Sequence, residues 1–129
     1  MQIPSIRPWM QELTSFSMES KIAEHIVTRL ESFITPYYEY AEQLPLPYCV
    51  FEVEQEQPLY SKLGVNGYKA DVSVYLAAAT EQQAMQLKNQ AVEALTERRA
   101  GFMVAINSSQ PAFAEEQWLW KIDLSITQL

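Results

Sequence analysis

Apolar residues recur along the chain in two rhythms. Between Met18 and Ile34, the residues Ile22, Ala23, Ile26, Val27, Leu30, Phe33 and Ile34 follow three- and four-residue spacing, which predicts an amphipathic helix. Lys21, Glu24, His25, Thr28, Glu31 and Ser32 take its polar side, so His25 reads as a solvated surface histidine. Ser17 suits the N-cap, and Pro36 closes the helix by restricting Thr35. A second helix is predicted from Thr80 to Leu95, with Ala84, Leu87, Ala91 and Leu95 as its buried stripe. Thr80-Glu81-Gln82-Gln83 has the form of a capping box. Arg98 and Arg99 suit the negative end of that helix, and Gly101 can supply a left-handed stop.

The second rhythm has period two. Cys49, Phe51 and Val53 alternate with Tyr48, Val50, Glu52 and Glu54, predicting a strand over Tyr48 to Gln55. Tyr68 to Leu76 alternates strictly. Phe102, Val104 and Ile106 mark a third strand, and Trp118, Trp120, Ile122, Leu124 and Ile126 a fourth. Three connections lie between these elements. Thr35 to Pro47 is rich in tyrosine and proline. Glu56 to Gly67 reads as a long polar hairpin connection, with strand extension around Leu59 to Leu63. Asn107 to Pro111 has the composition of a turn-rich loop. Residues 1–17 carry two prolines and read as an irregular arm, although Trp9, Met10, Leu13 and Phe16 are spaced for a helical turn. The order is α-β-β-α-β-β in one domain covering residues 1–129, with an arm at 1–17 and a body at 18–127. Phe51, Val72, Val74, Leu87, Leu95, Val104, Ile122 and Leu124 are expected to share one core.

Length and composition agree with a single globular domain. The chain has 129 residues, 48% of them hydrophobic and 19% charged, and a chain of this size buries about two-thirds of its unfolded surface. No apolar run is long enough to span a bilayer. The start lacks a basic segment followed by an apolar run, so no signal peptide is expected and a reducing cytoplasm is the default compartment. Sixteen acidic residues against nine basic ones give a net charge of −7. Nucleic-acid binding is therefore not expected, since affinity for phosphate backbones comes from Lys and Arg.

Candidate chemistry is sparse. The three glycines form no phosphate loop, and no G-x-S-x-G elbow occurs. One cysteine and one histidine fall short of a Cys/His zinc site. Cys49 lies on the apolar side of its strand and reads as an inert buried thiol. Glu52, Glu54, Asp71 and Asp123 sit on polar strand positions. They make either an acidic patch for a divalent metal or a solvated face with pairs such as Glu52 or Glu54 with Lys69, and the second reading is favoured. No catalytic residue, cofactor or metal is expected. The residues left outside the core, Trp9, Met10, Tyr37, Tyr38, Tyr40, Leu59, Tyr60 and Leu63, are candidates for a protein contact.

The order of these features resembles a known family, the tail-completion or tail-terminator proteins of long-tailed bacteriophages. The resemblance is carried by the amphipathic helix, the strand Leu46-Pro47-Tyr48-Cys49-Val50-Phe51-Glu52-Val53, and a polar connection after it. Lys69-Ala70-Asp71-Val72-Ser73-Val74-Tyr75-Leu76-Ala77, the helix Thr80 to Leu95 and a closing strand pair complete the pattern. It implies an α+β fold, with a mostly antiparallel four-stranded sheet and helices packed on one face. It also implies a structural protein of a phage or prophage, not an enzyme. Such a protein forms a ring, typically a hexamer, at the head-proximal end of the tail within the virion. The ring ends tube growth and meets the head connector, so the partners are further copies of the chain, the tail tube and the connector, with no membrane. A carboxylate-lined lumen would let DNA slide through without sticking. Two other classes remain open from the residues alone: a non-viral protein-binding module, and a small metal-dependent enzyme with an acidic site on the sheet.

Overall fold

The stripe beginning at Ile22 forms helix α1, Lys21–Leu30, with Ile22, Ala23, Ile26 and Leu30 fully buried. Helical hydrogen bonding continues past it, because Glu31 N–H donates to Val27 O at 2.9 Å and Ile34 N–H to Leu30 O at 3.1 Å. The chain then turns into Pro36. The structure is a computed structural model and describes residues 21–38, 44–114 and 116–129. The expected cap at Ser17, the arm at residues 1–17 with Trp9 and Met10, and Tyr40 all lie outside the described residues.

Helix α2 spans Glu81–Thr96 and buries Ala84, Leu87, Ala91 and Leu95. Thr80 caps it from an extended backbone (φ −129°, ψ 156°), its hydroxyl accepting from Gln83 N–H at 3.1 Å. The far end differs from expectation. Arg98 and Arg99 lie beyond the last turn, and α1 supplies the cation instead. Arg29 Nε donates to Ala94 O at 3.0 Å and its guanidinium pairs with Glu97. This places a positive charge on carbonyls that have no partner within the helix. Gly101, with φ +88°, serves the turn between Arg99 and Phe102 and not the helix end.

Among the described residues, five strands form one mixed sheet: β1 Pro36–Tyr38, β2 Tyr48–Ser61, β3 Gly64–Ala78, β4 Phe102–Ala114 and β5 Gln117–Gln128. Their spatial order is β1-β2-β3-β5-β4, with β1 parallel to β2 and every other pair antiparallel. The α+β class stands, but the sheet has five strands instead of four. The added strand is β1, inside the expected tyrosine connection. Three residues are too few to show a period of two, so nothing in the pattern marks it.

The strands are also longer than their alternating segments. Asn107 to Pro111, expected as a loop, belongs to β4. Its register shifts between Ile106 and Ser108, and this bulge absorbs Asn107. Pro111 is tolerated because β4 is the last strand of the sheet, where a missing N–H costs no ladder bond on the outer side.

Both helices contact β3 and β5. The side chains toward them are Cys49, Phe51, Ala70, Val72, Val74, Leu76, Ile122, Leu124 and Ile126, all buried in one cluster with the helix stripes. Of the expected core, Val104 alone is half-buried at the rim. His25 departs from its expected place. It is 6% exposed and stacks on Phe102 with ring centroids 3.9 Å apart and planes 7° apart. Its helical phase was read as polar, but β4 passes on that side and Phe102 covers the ring.

Candidate functional site

Register decides which polar residues meet. Glu52 stands opposite Ser73, Glu54 opposite Asp71, Ser73 opposite Asp123 and Asp71 opposite Ser125. The four carboxylates therefore share the sheet face that points away from the helices, as the alternation allows. The expected pairing of Glu52 or Glu54 with Lys69 does not form. Gln57, not a glutamate, is the partner of Lys69, because a bulge after Glu54 shifts the register. Gln55 has φ +52° at that bulge.

The face is organised by hydroxyls. Ser73 Oγ donates to Asp123 Oδ1 at 2.8 Å and Ser108 Oγ to Asp123 Oδ2 at 2.9 Å. Beside them, the bulged Asn107 donates to Ser125 Oγ at 2.9 Å, and Ser125 donates to Asp71 Oδ1 at 3.2 Å. Partial burial alone would raise the Asp123 pKa. The Ser73 and Ser108 hydroxyls and the Lys121 ammonium, 3.7 Å away, outweigh it and hold the carboxyl below its ordinary value. Among the described residues, no three His, Cys, Asp or Glu side chains converge in a way that could hold a metal ion. Cys49 is fully buried, and desolvation pushes its thiol up to about 12, so it stays protonated and unreactive at neutral pH.

The expected contact residues separate into two groups. Tyr37 is 8% exposed in β1, and Tyr38 packs edge-on against Phe51 with centroids 5.2 Å apart. Both belong to the molecule's own core, which corrects their reading as outward-facing contacts. Leu59 is half-buried. Tyr60 and Leu63 are 75% and 97% exposed.

The last two lie on an arm. β5 ends opposite Tyr68, so the ladder from Leu59–Gly67 to Ser61–Gly64 runs past the end of β5. Lys62 and Leu63 make its turn. Ser61 Oγ accepts from Leu63 N–H at 3.1 Å, and Gly64 supplies φ +113°. The expected long connection is thus a hairpin with a two-residue turn. Asn66-Gly67, at the end of the expected connection, lies within β3. Gly67 is needed for close approach, since a Cβ there would meet Gln128 O at 2.0 Å. Val65, 51% exposed, joins Tyr60 and Leu63 on the arm. It was not singled out in the sequence, although a β-branched residue between Gly64 and Asn66 is a strand signal.

The chain matches no protein-family model and no curated protein sequence. No helix among the described residues is long and apolar enough to cross a membrane.

Proposed function

We propose that the protein is a structural component of a long-tailed phage or prophage, of the tail-terminator type. It assembles head-to-tail into a ring at the head-proximal end of the tail, ends tube growth and docks on the head connector. The observation that carries this reading is the β2–β3 arm, which holds Tyr60, Leu63 and Val65 in solvent beyond the body of the sheet. A ring needs two unlike patches on each subunit. An arm that leaves its own domain is suited to reach a neighbour, and exposed apolar groups gain most from being covered there. The α+β architecture, with helices on one face, agrees with the resemblance in the sequence.

The test is the double variant Tyr60→Ser, Leu63→Ser in the source phage or induced prophage. Tails of uncontrolled length, or tails that fail to join heads, are expected while the isolated domain remains folded. Normal infectious particles would remove the arm from the assembly surface.

A further inference from the structure

A cavity of about 360 Å³ opens between α1, the turn before β4 and the end of β5. Its wall is formed by Lys21, Glu24, His25 and Thr28 of α1, by Arg99 and Ala100, and by Phe102 and Gln128. Among the described residues His25 has no hydrogen-bond partner, although it is 6% exposed and lines the cavity. An imidazole carries a donor nitrogen and an acceptor nitrogen, and burying both unsatisfied is costly. Phe102 covers one ring face and offers neither. Lys21 and Arg99 stand at the same wall with no carboxylate within ion-pairing distance among the described residues. Two unpaired cations and one unsatisfied buried imidazole thus line one opening, in a chain whose overall charge is −7.

We propose that this cavity binds a small oxyanion, a phosphate or a carboxylate, between the Arg99 guanidinium and the Lys21 ammonium and against the imidazole of His25. Arg99 offers a planar fork suited to two oxygens of one anion, and Lys21 a compact point charge. A phosphate near neutral pH carries both accepting oxygens and a P–OH donor, so it can satisfy either nitrogen of neutral His25. A carboxylate can only accept. The proposal goes beyond ring assembly, which rests on Tyr60, Leu63 and Val65 of the β2–β3 arm and on none of these side chains.

Anion binding and His25 protonation are linked. Arg29 of α1 and Arg99 ahead of β4 act on the ring, and Lys21 and Glu24 of α1 are the other charged groups that line the same cavity. Phe102 of β4 and Gln128 of β5 add no charge. Burial, with Arg29 and Arg99 nearby, lowers the His25 pKa from 6.5 to about 4. An anion in the cavity supplies an acceptor and a counter-charge, so it favours the imidazolium, and protonation favours the anion in return. Glu24 opposes both occupants of the site that are negative, and Glu24→Gln should tighten binding.

His25 is the sole histidine, so its ring resonances can be followed by NMR without ambiguity. The full chain is titrated with pH in chloride buffer, then with saturating inorganic phosphate and, separately, acetate. The expected result is a His25 pKa raised from about 4 to about 5 or above by at least one anion, equivalent to about tenfold tighter binding to the imidazolium form. A response to phosphate alone assigns the site to phosphate, and a response to acetate alone to carboxylates. Arg99→Gln changes an exposed residue and separates binding from folding. In chloride it should raise the His25 pKa slightly, because a positive neighbour is gone, yet abolish the anion response. An unmoved His25 in both anions, or an anion response that survives Arg99→Gln, overturns the proposal.

Discussion

The two faces of the sheet are built from the same strands and are held by different forces. Ser73 lies between Val72 and Val74, and Asp123 between Ile122 and Leu124. On the helix side, Ala70, Val72, Val74, Leu76 and Ala78 of β3 and Ile122, Leu124 and Ile126 of β5 are at most 2% exposed. There burial of apolar area, at about 25 cal/mol per Å², carries the stability. On the other side, hydroxyl-to-carboxylate hydrogen bonds run across β3, β5 and β4. Net gains per bond are smaller, and breaking one leaves a polar group without its partner. One side tolerates loss of volume badly, and the other tolerates loss of a partner badly.

The largest expected effect is on the helix side. Phe51 is fully buried between Tyr38 and the core, and Phe51→Ala should cost about 3–5 kcal/mol in urea unfolding. A cost below about 1 kcal/mol would mean that the helices and sheet do not meet there.

A titration compares the sides next. The His25 pKa is lowered to about 4 in the folded protein against 6.5 unfolded. Between these values the unfolded chain binds more protons, so stability rises with pH across that window and falls as the solution is acidified from about 6.5 toward 4. The loss should be up to about 3 kcal/mol, and His25→Gln should flatten the curve there. Asp123 acts lower. Its folded pKa lies below the ordinary 3.8, so its contribution is present above that value and disappears as pH falls through the folded one. Asp123→Ala should cost about 1–2 kcal/mol at neutral pH by stranding Ser73 and Ser108. A single acid transition unaffected by either variant would show that neither side titrates as described.

How much of this was legible in the sequence follows from what each residue competes with. Helix stripes and the Tyr68–Leu76 alternation were legible because burial on one side enforces them. β1 was not, since three residues show no period. The distal half of β4 was not, because Asn107, Ser108, Ser109 and Pro111 have turn composition and only pairing with β5 makes them a strand. The place of His25 depends on where β4 passes, which no local pattern encodes. Tyr60 and Leu63 were found by elimination from the core, whereas Tyr37 and Tyr38 failed the same test because the core had a strand that the pattern did not reveal.

The smallest expected effect concerns a flaw on the polar face. Glu54 and Asp71 are direct cross-strand partners, and like charges opposite one another are destabilising. Asp71 accepts from Ser125 at 3.2 Å, which satisfies one oxygen without neutralising the charge. Both residues are exposed, so water screens the repulsion and limits its size. Replacing Glu54 by Gln should therefore stabilise the fold by about 0.2–0.5 kcal/mol, and Glu54→Lys by up to about 1 kcal/mol. Either gain should shrink as salt is raised toward 1 M, where the screening length falls to about 3 Å. Leu63→Ser provides the reference: at 97% exposure it should move stability by less than about 0.5 kcal/mol and show no salt dependence. If Glu54→Lys is neutral at every salt concentration, the two carboxylates are far enough apart that the register brings their backbones together but not their charges.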